Sequence, residues 1–227
     1  VLVLLLLPAA LAAADFDALL TPDGWEVAGS APHELLGEVT LALKQVSGVK
    51  CLRGTATVDA SARGMLSVVE DIDGALSWST AGLSDTRVLG RQGDRLDYLQ
   101  VLDVPGWTMA ADRYWVLRSR VTTEADGALA FRWDRFDWRS AYPDLAAELA
   151  TSHPQAIEPD PNFGAWVFRD STSPDSTAPD TAAGTELRYY LCTESGSLPY
   201  WLQKAAATRT VPAAMADVVR AARKRGS

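Results

Sequence analysis

"GSLPYWLQKAAATRTVPAAMADVVRAARKR", residues 196–225, reads as one long amphipathic helix. Ser197 suits an N-cap, and Pro199 sits near the first turn, where a missing N–H costs nothing. Trp201, Ala205, Thr208, Val211, Met215, Val218 and Ala222 then recur at three- and four-residue steps, so one apolar stripe faces a core. Pro212 is expected to bend the helix. Arg223, Lys224 and Arg225 complement the negative end of its dipole.

Most of the chain before this helix has the period of strands. "GEVTLALKQV", 37–46, alternates Val39, Leu41 and Leu43 with polar neighbours, and "VKCLRGTATVDA", 49–60, is rich in Val and Thr. Ser47 and Gly48 between them make a hairpin. From 59 to 78 the period changes: Asp59 or Ser61 can cap a helix, Met65, Val68, Val69 and Ile72 fall at helical spacing, and Gly74 ends it, with Trp78 in a short connection. "TRVLGRQGDRLDYLQVLDV", 86–104, is a hairpin about Gln92 and Gly93, with Leu96, Tyr98, Gln100 and Leu102 on one face. Strands follow at 113–120, 128–138, 163–170 and 185–194. A Pro- and Ala-rich excursion occupies 139–161, and 171–184 reads as a flexible loop. An antiparallel sheet with helices on one face is α+β. A strongly curved sheet gripping the last helix would leave a space between them.

The 227 residues suit one large domain or two small ones, and 48% hydrophobic with 22% charged residues is ordinary for a globular chain. A net charge of -8 argues against binding a nucleic-acid backbone. "VLVLLLLPAALAAAD" is apolar through Ala14, too short for a membrane span, and ends in the small residues Ala12 and Ala14. We expect a secretory signal peptide over 1–14, cleaved after Ala14 and truncated at its start, and a single exported domain over 15–227. The alternative is an N-terminal helix. Cys51 and Cys192 lie in strand segments and could form a disulfide or remain two buried thiols.

Several stretches, in their order, resemble the START family, the steroidogenic acute regulatory protein-related lipid-transfer domain, in its bacterial form. "RGTATVDAS" followed by "VVEDIDGALSW" resembles the family's strand-then-helix segment ending in Trp. "YLQVLDVPGWTMAADRYWVLRS" resembles the Tyr-to-Pro run before an Arg-Asp-aromatic strand, here in the order Asp112-Arg113-Tyr114. "FGAWVFRD" and "GTELRYYLCTESGSLPYWLQ" resemble the last two strands and the start of the closing helix. The resemblance spans Trp25 to Arg225. It implies a helix-grip fold, with a curved antiparallel sheet around the C-terminal helix and an apolar tunnel for one lipid, a sterol or phospholipid.

Apolar, aromatic pockets with a few placed polar groups suit such a ligand. Trp78, Tyr98, Trp107, Trp115, Trp133, Trp166 and Tyr189 are candidate walls, with Leu117, Trp201 and Leu202. The same side chains would serve equally to fill a core. Strand alternation puts Arg113, Trp115 and Leu117 on one face. If that face lines the tunnel, Arg113 needs a partner, since an unpaired buried charge costs several kcal/mol. Gln100 and Asp103 are candidates, and a sterol hydroxyl or lipid phosphate could complete the site. The rival is a surface Arg113 paired with Asp112. The tip Arg220, Arg223, Lys224 and Arg225 either touches anionic headgroups transiently or is simply a solvated helix end.

Catalytic patterns are lacking. His33 and His153 are the two histidines, and no Ser-His-Asp order, metal-ligand spacing or phosphate loop is legible. The expectation is a monomeric carrier without cofactor or catalysis. A helix-grip enzyme using Arg113, Tyr98 or Asp103, of the cyclase/aromatase or hydrolase kind, is the alternative. An interaction module without ligand is the third.

Overall fold

The computed structural model describes residues 15–104, 111–170, 184–193 and 200–226, with 200–207 as backbone only. The elements are α1 (Phe16–Leu20), β1 (Glu26–His33), β2 (Gly37–Val46), β3 (Val49–Val58), α2 (Ala62–Val69), α3 (Ala75–Trp78), β4 (Leu83–Gln92), β5 (Arg95–Leu102), β6 (Arg113–Thr123), β7 (Leu129–Arg135), α4 (Trp138–Ala141), α5 (Pro143–Ser152), β8 (Asn162–Asp170), β9 (Thr185–Thr193) and α6 (Tyr200–Gly226). The strands form one curved sheet in the order β1-β2-β3-β9-β8-β7-β6-β5-β4. Every pairing is antiparallel. The α+β expectation and the helix at the C-terminus hold.

Alternation decides which side chains enter the concave side. Val39 and Leu41 of β2, Ala56 and Val58 of β3 and Leu187 of β9 are buried with Met65, Val68 and Val69 of α2. Val211, Met215, Val218 and Ala222, four members of the predicted stripe, join the same cluster. Gly54 lets α6 come this close: a Cβ there would stand 2.5 Å from Val211 Cγ1 and 2.8 Å from Met215 Sδ. The helix runs unbroken through Pro212. Its buried Asp217, 2% exposed, accepts hydrogen bonds from Thr80 N at 2.6 Å and Thr80 Oγ1 at 2.7 Å, and pairs with Arg220 at 2.6 Å. This ties α6 to the loop between α3 and β4.

Among the described residues, the convex side is covered in two places. Leu19 of α1 packs with Phe163, Ala165 and Tyr190 around Cys51 and Cys192. Those cysteines are directly opposite on β3 and β9, with Cα atoms 4.3 Å apart, and are joined in a disulfide. The open alternative of two thiols is thereby resolved. Trp138, Leu145 and Leu149 of α4 and α5 cover Leu99, Val101 and Val116. The 139–161 excursion is thus the second layer over β5 and β6.

The structure departs from the sequence reading at four places. The strand expected over 128–138 ends at Arg135, and Trp138 opens the helical turn α4. The helix expected to run on to Gly74 stops at Val69, and Trp78, expected in a short connection, lies in the separate helical turn α3. Asp71 Oδ1 accepts from Gly74 N at 3.1 Å, a local bond that competes with helix continuation. The residues 26–33 add an edge strand, β1, whose Gly29 and Pro32 hide its period; Pro is tolerated there because an edge strand leaves donors unused. The β4–β5 turn is at Gly93 and Asp94, one residue later than expected. Among the described residues no helix is long and apolar enough to cross a membrane. The expected leader at 1–14, the loop at 171–183 and the N-cap Ser197 lie outside the described residues.

Candidate ligand-binding wall

Residues directly opposed in an antiparallel sheet share a face. Gln100 opposes Trp115, Tyr98 opposes Leu117 and Leu102 opposes Arg113. Ser119 opposes Trp133, and Val121 opposes Phe131. Phe131 opposes Trp166, Trp166 opposes Tyr189, and Tyr189 opposes Gly54 beneath α6. One continuous concave wall therefore holds Tyr98, Gln100, Arg113, Trp115, Leu117, Trp133, Trp166 and Tyr189. Trp78 joins from α3, half-buried against the same cluster. Trp107 and the side chains of Trp201 and Leu202 lie outside the described residues.

The rings are interlocked. Trp166 and Tyr189 stack with centroids 3.9 Å apart, and Trp133 stands 6.1 Å from Tyr189. Gly164, opposite Trp133, makes room for its indole, since any Cβ there would overlap the ring. Trp133 Nε1 donates to Asn162 Oδ1 at 3.0 Å, and Trp78 Nε1 to Asp71 O at 3.4 Å. Phe131, Phe168, Gly164 and Asn162 were not among the predicted site residues. The alternation of Leu129, Phe131 and Trp133 in "LAFRWDR" is the sequence signal for the first.

Burial pushes the Tyr98 phenol far above its ordinary range, with Tyr189 adding to the effect, and burial pushes Tyr189 up to about 12. Both are acids whose folded pKa exceeds the unfolded value of about 10. Their contribution to stability is therefore complete below pH 10 and disappears as pH rises through the folded value. Ultraviolet titration should show these two phenols still protonated after the exposed tyrosines have ionised, with their release coinciding with loss of near-ultraviolet dichroism. Smooth titration of all six tyrosines near pH 10 would contradict their burial.

Arg113 is held at the start of β6 by its neighbours. Asp112 Oδ1 accepts from Val104 N at 2.8 Å, Tyr114 N donates to Ile157 O at 3.0 Å, and Ile157 N donates to Asp112 O at 2.9 Å. The guanidinium pairs with none of the partners anticipated from sequence. Asp112 is occupied by the backbone, Asp103 is exposed, and Gln100 faces Trp115. Among the described residues no carboxylate lies within ion-pair distance of Arg113. Its Nε and the Nε1 of Trp115 are buried without a hydrogen-bond partner. Two orphaned donors on one face of β6 are costly unless an acceptor arrives. Farther along this rim, Arg135 is neutralised by Glu158 at 3.5 Å and Asp160 at 2.5 Å.

Cavities among the described residues include one of about 120 Å³ beside Tyr142 and one of about 390 Å³ beside Lys44. Neither includes a wall residue. No metal-binding cluster of His, Cys, Asp or Glu occurs among the described residues.

No protein-family profile and no curated protein matches the sequence. Solved structures do match. A STAR-related lipid transfer protein fragment from Xanthomonas axonopodis superposes with TM-score 0.64 at 18% identity, over 88% of this chain and 99% of that one. Human StAR-related lipid transfer protein 5 gives TM-score 0.64 at 12% identity, over 93% of this chain and 92% of that one. The Zhui aromatase/cyclase from Streptomyces sp. R1128 gives 0.51 at 15% identity, over 78% and 95%. The chain has a START-like helix-grip fold.

Proposed function

We propose that this protein is a carrier that binds one hydrophobic molecule, a sterol, phospholipid or other lipid, against the concave wall and does so without catalysis. The observation that carries this reading is the register-aligned aromatic wall ending in the orphaned donors of Arg113 and Trp115. Apolar contact would supply most of the affinity, at about 25 cal/mol per Å² of area removed from water. Arg113 and Trp115 would orient the polar end of the ligand. Lipid-transfer proteins among the fold's neighbours support this reading, and an aromatase/cyclase among them keeps the enzymatic alternative in view.

Chemistry on the wall favours binding over catalysis. The wall residues from Tyr98 to Tyr189 named above include no carboxylate and no histidine. The phenols of Tyr98 and Tyr189 hold their protons at neutral pH and are poor general bases there. Asp97, the carboxylate nearest Tyr98 in sequence, belongs to the convex face and is committed to Arg118.

Delipidated protein should take up a fluorescent sterol or fatty-acyl probe with one-to-one saturation, read by energy transfer from the wall tryptophans. Arg113→Met should weaken binding of ligands with a phosphate or carboxylate head by about ten-fold or more, the size of a charge-assisted hydrogen bond, with little change for a purely apolar probe. No saturable uptake across a lipid panel would rule the carrier reading out.

Export to the periplasm or the medium is part of this proposal. The apolar lead and the paired cysteines support it, since disulfides persist in oxidising compartments. The carrier would act as a monomer with transient membrane contact through its basic helix end, where Arg225 pairs with Asp71 and Arg223 Nε donates to Asp59 O at 2.9 Å.

A further inference from the structure

The convex face holds an unmatched row of charge. Arg95 on β5 directly opposes Arg120 on β6, which directly opposes Arg132 on β7. Like charges in such positions repel. The next row along the same strands is complementary: Asp97 opposes Arg118, and Arg118 opposes Asp134. Arg132 is neutralised by Glu124 at 2.5 Å. Among the described residues, no ion pair reaches Arg91, Arg95 or Arg120. Arg95 Nε is moreover buried without a hydrogen-bond partner.

A cavity of about 120 Å³ opens beside Arg95, the β5 member of this row, lined by Gly90, Arg91, Gln92, Arg95, Asp97 and Tyr142. The one carboxylate in it is already engaged. Asp97 accepts from Arg118 Nε at 2.7 Å, from Arg118 Nη2 at 2.8 Å and from Tyr142 OH at 3.0 Å. Gly90 keeps the wall open for that phenol, since a Cβ there would stand 2.6 Å from Tyr142 OH. What remains is positive charge at the rim of a small polar hollow.

We propose that this hollow binds a dianionic phosphoryl group, held by Arg95 and completed by Arg120. Two uncompensated guanidinium groups match a dianion in charge. The planar fork of each matches paired phosphate oxygens in shape. The group is inorganic phosphate, a soluble phosphomonoester or the head of a phosphomonoester lipid. The site lies on the opposite face of the sheet from the aromatic wall and does not depend on what that wall binds.

The full chain would be tested in phosphate-free buffer at constant ionic strength, so that general screening is held fixed. Inorganic phosphate should raise the melting temperature saturably, because a ligand bound only to the folded state stabilises it. It should also shift the Arg95 Nε–H resonance. In R95Q the phosphate response should disappear, while the melting temperature without phosphate should equal or exceed wild type, because repulsion is relieved. R120Q should weaken phosphate by about ten-fold. R63Q, an exposed control on α2, should respond as wild type does.

The second arm uses phosphatidylcholine vesicles with and without phosphatidic acid. Binding that requires phosphatidic acid and is lost in R95Q supports the site with a lipid as its source. A saturable phosphate response lost in R95Q supports it with a soluble source. Neither response, or responses unchanged in both R95Q and R120Q, overturns the proposal.

Discussion

Replacing Cys51 and Cys192 together by alanine is expected to lower the unfolding free energy by about 5 kcal/mol. The bridge closes a loop with a sequence separation of 141 residues. In the chain-entropy account, opening so long a loop gives the unfolded chain a large gain in freedom. For a chain of this size the loss corresponds to a fall in melting temperature of roughly 10–20 °C. The site amplifies the effect, because Leu19, Phe163 and Tyr190 pack around the bridge and α1 rests on it. Reduction of the wild-type protein should reproduce the loss without any substitution. Calorimetry of oxidised, reduced and doubly substituted protein checks this. Unchanged melting on reduction, with two free thiols titrated in the unreduced unfolded chain, would show that the bridge does not form.

The second large effect concerns how the closing helix is held. Asp217→Ala should cost about 3 kcal/mol, since it removes two hydrogen bonds and an ion pair made to a buried carboxylate. Asp217 accepts from Thr80 N and Oγ1 at 2.6 and 2.7 Å from a position only 2% exposed. Asp217→Asn keeps the shape and one acceptor, and its loss should be smaller. Denaturant unfolding gives both values. Hydrogen exchange adds a local readout, because the Thr80 amide should lose protection in the alanine variant before the sheet does. A cost below about 0.5 kcal/mol, that of an ordinary surface change, would show that this contact does not hold α6.

Much of the fold is legible because its signals are local. The hairpin of β2 and β3 follows from Val39, Leu41 and Leu43 alternating on one side of a Ser47-Gly48 turn, and the observed bounds of β2 are the expected ones. The α6 stripe is legible for the same reason: Val211, Met215, Val218 and Ala222 repeat at the helical period and are buried together. Period alone misleads at Ile72, which packs in the α2 cluster from a turn after the helix has ended at Val69. It fails altogether at β1, where Gly29 and Pro32 interrupt the alternation.

The wall was legible as a set and illegible as a surface. Arg113, Trp115 and Leu117 share a face by alternation alone, and the structure places them so. That Trp133, Trp166 and Tyr189 continue this face depends on the register of four strands distant in sequence. Arg113 also lacks the partners anticipated for it, because Asp112 turns to cap Val104 N and Leu102 occupies the opposing position.

By itself the sequence determined the strands with clear alternation, the closing helix and the class of fold, since each rests on spacing within one segment. Only the tertiary structure decided that Cys51 meets Cys192, that Gly54 lies under Met215, that Asp217 meets Thr80, and that Arg95 faces Arg120. Each of these is a meeting of residues whose sequence neighbours give no sign of it, fixed by strand register and by where α6 crosses the sheet.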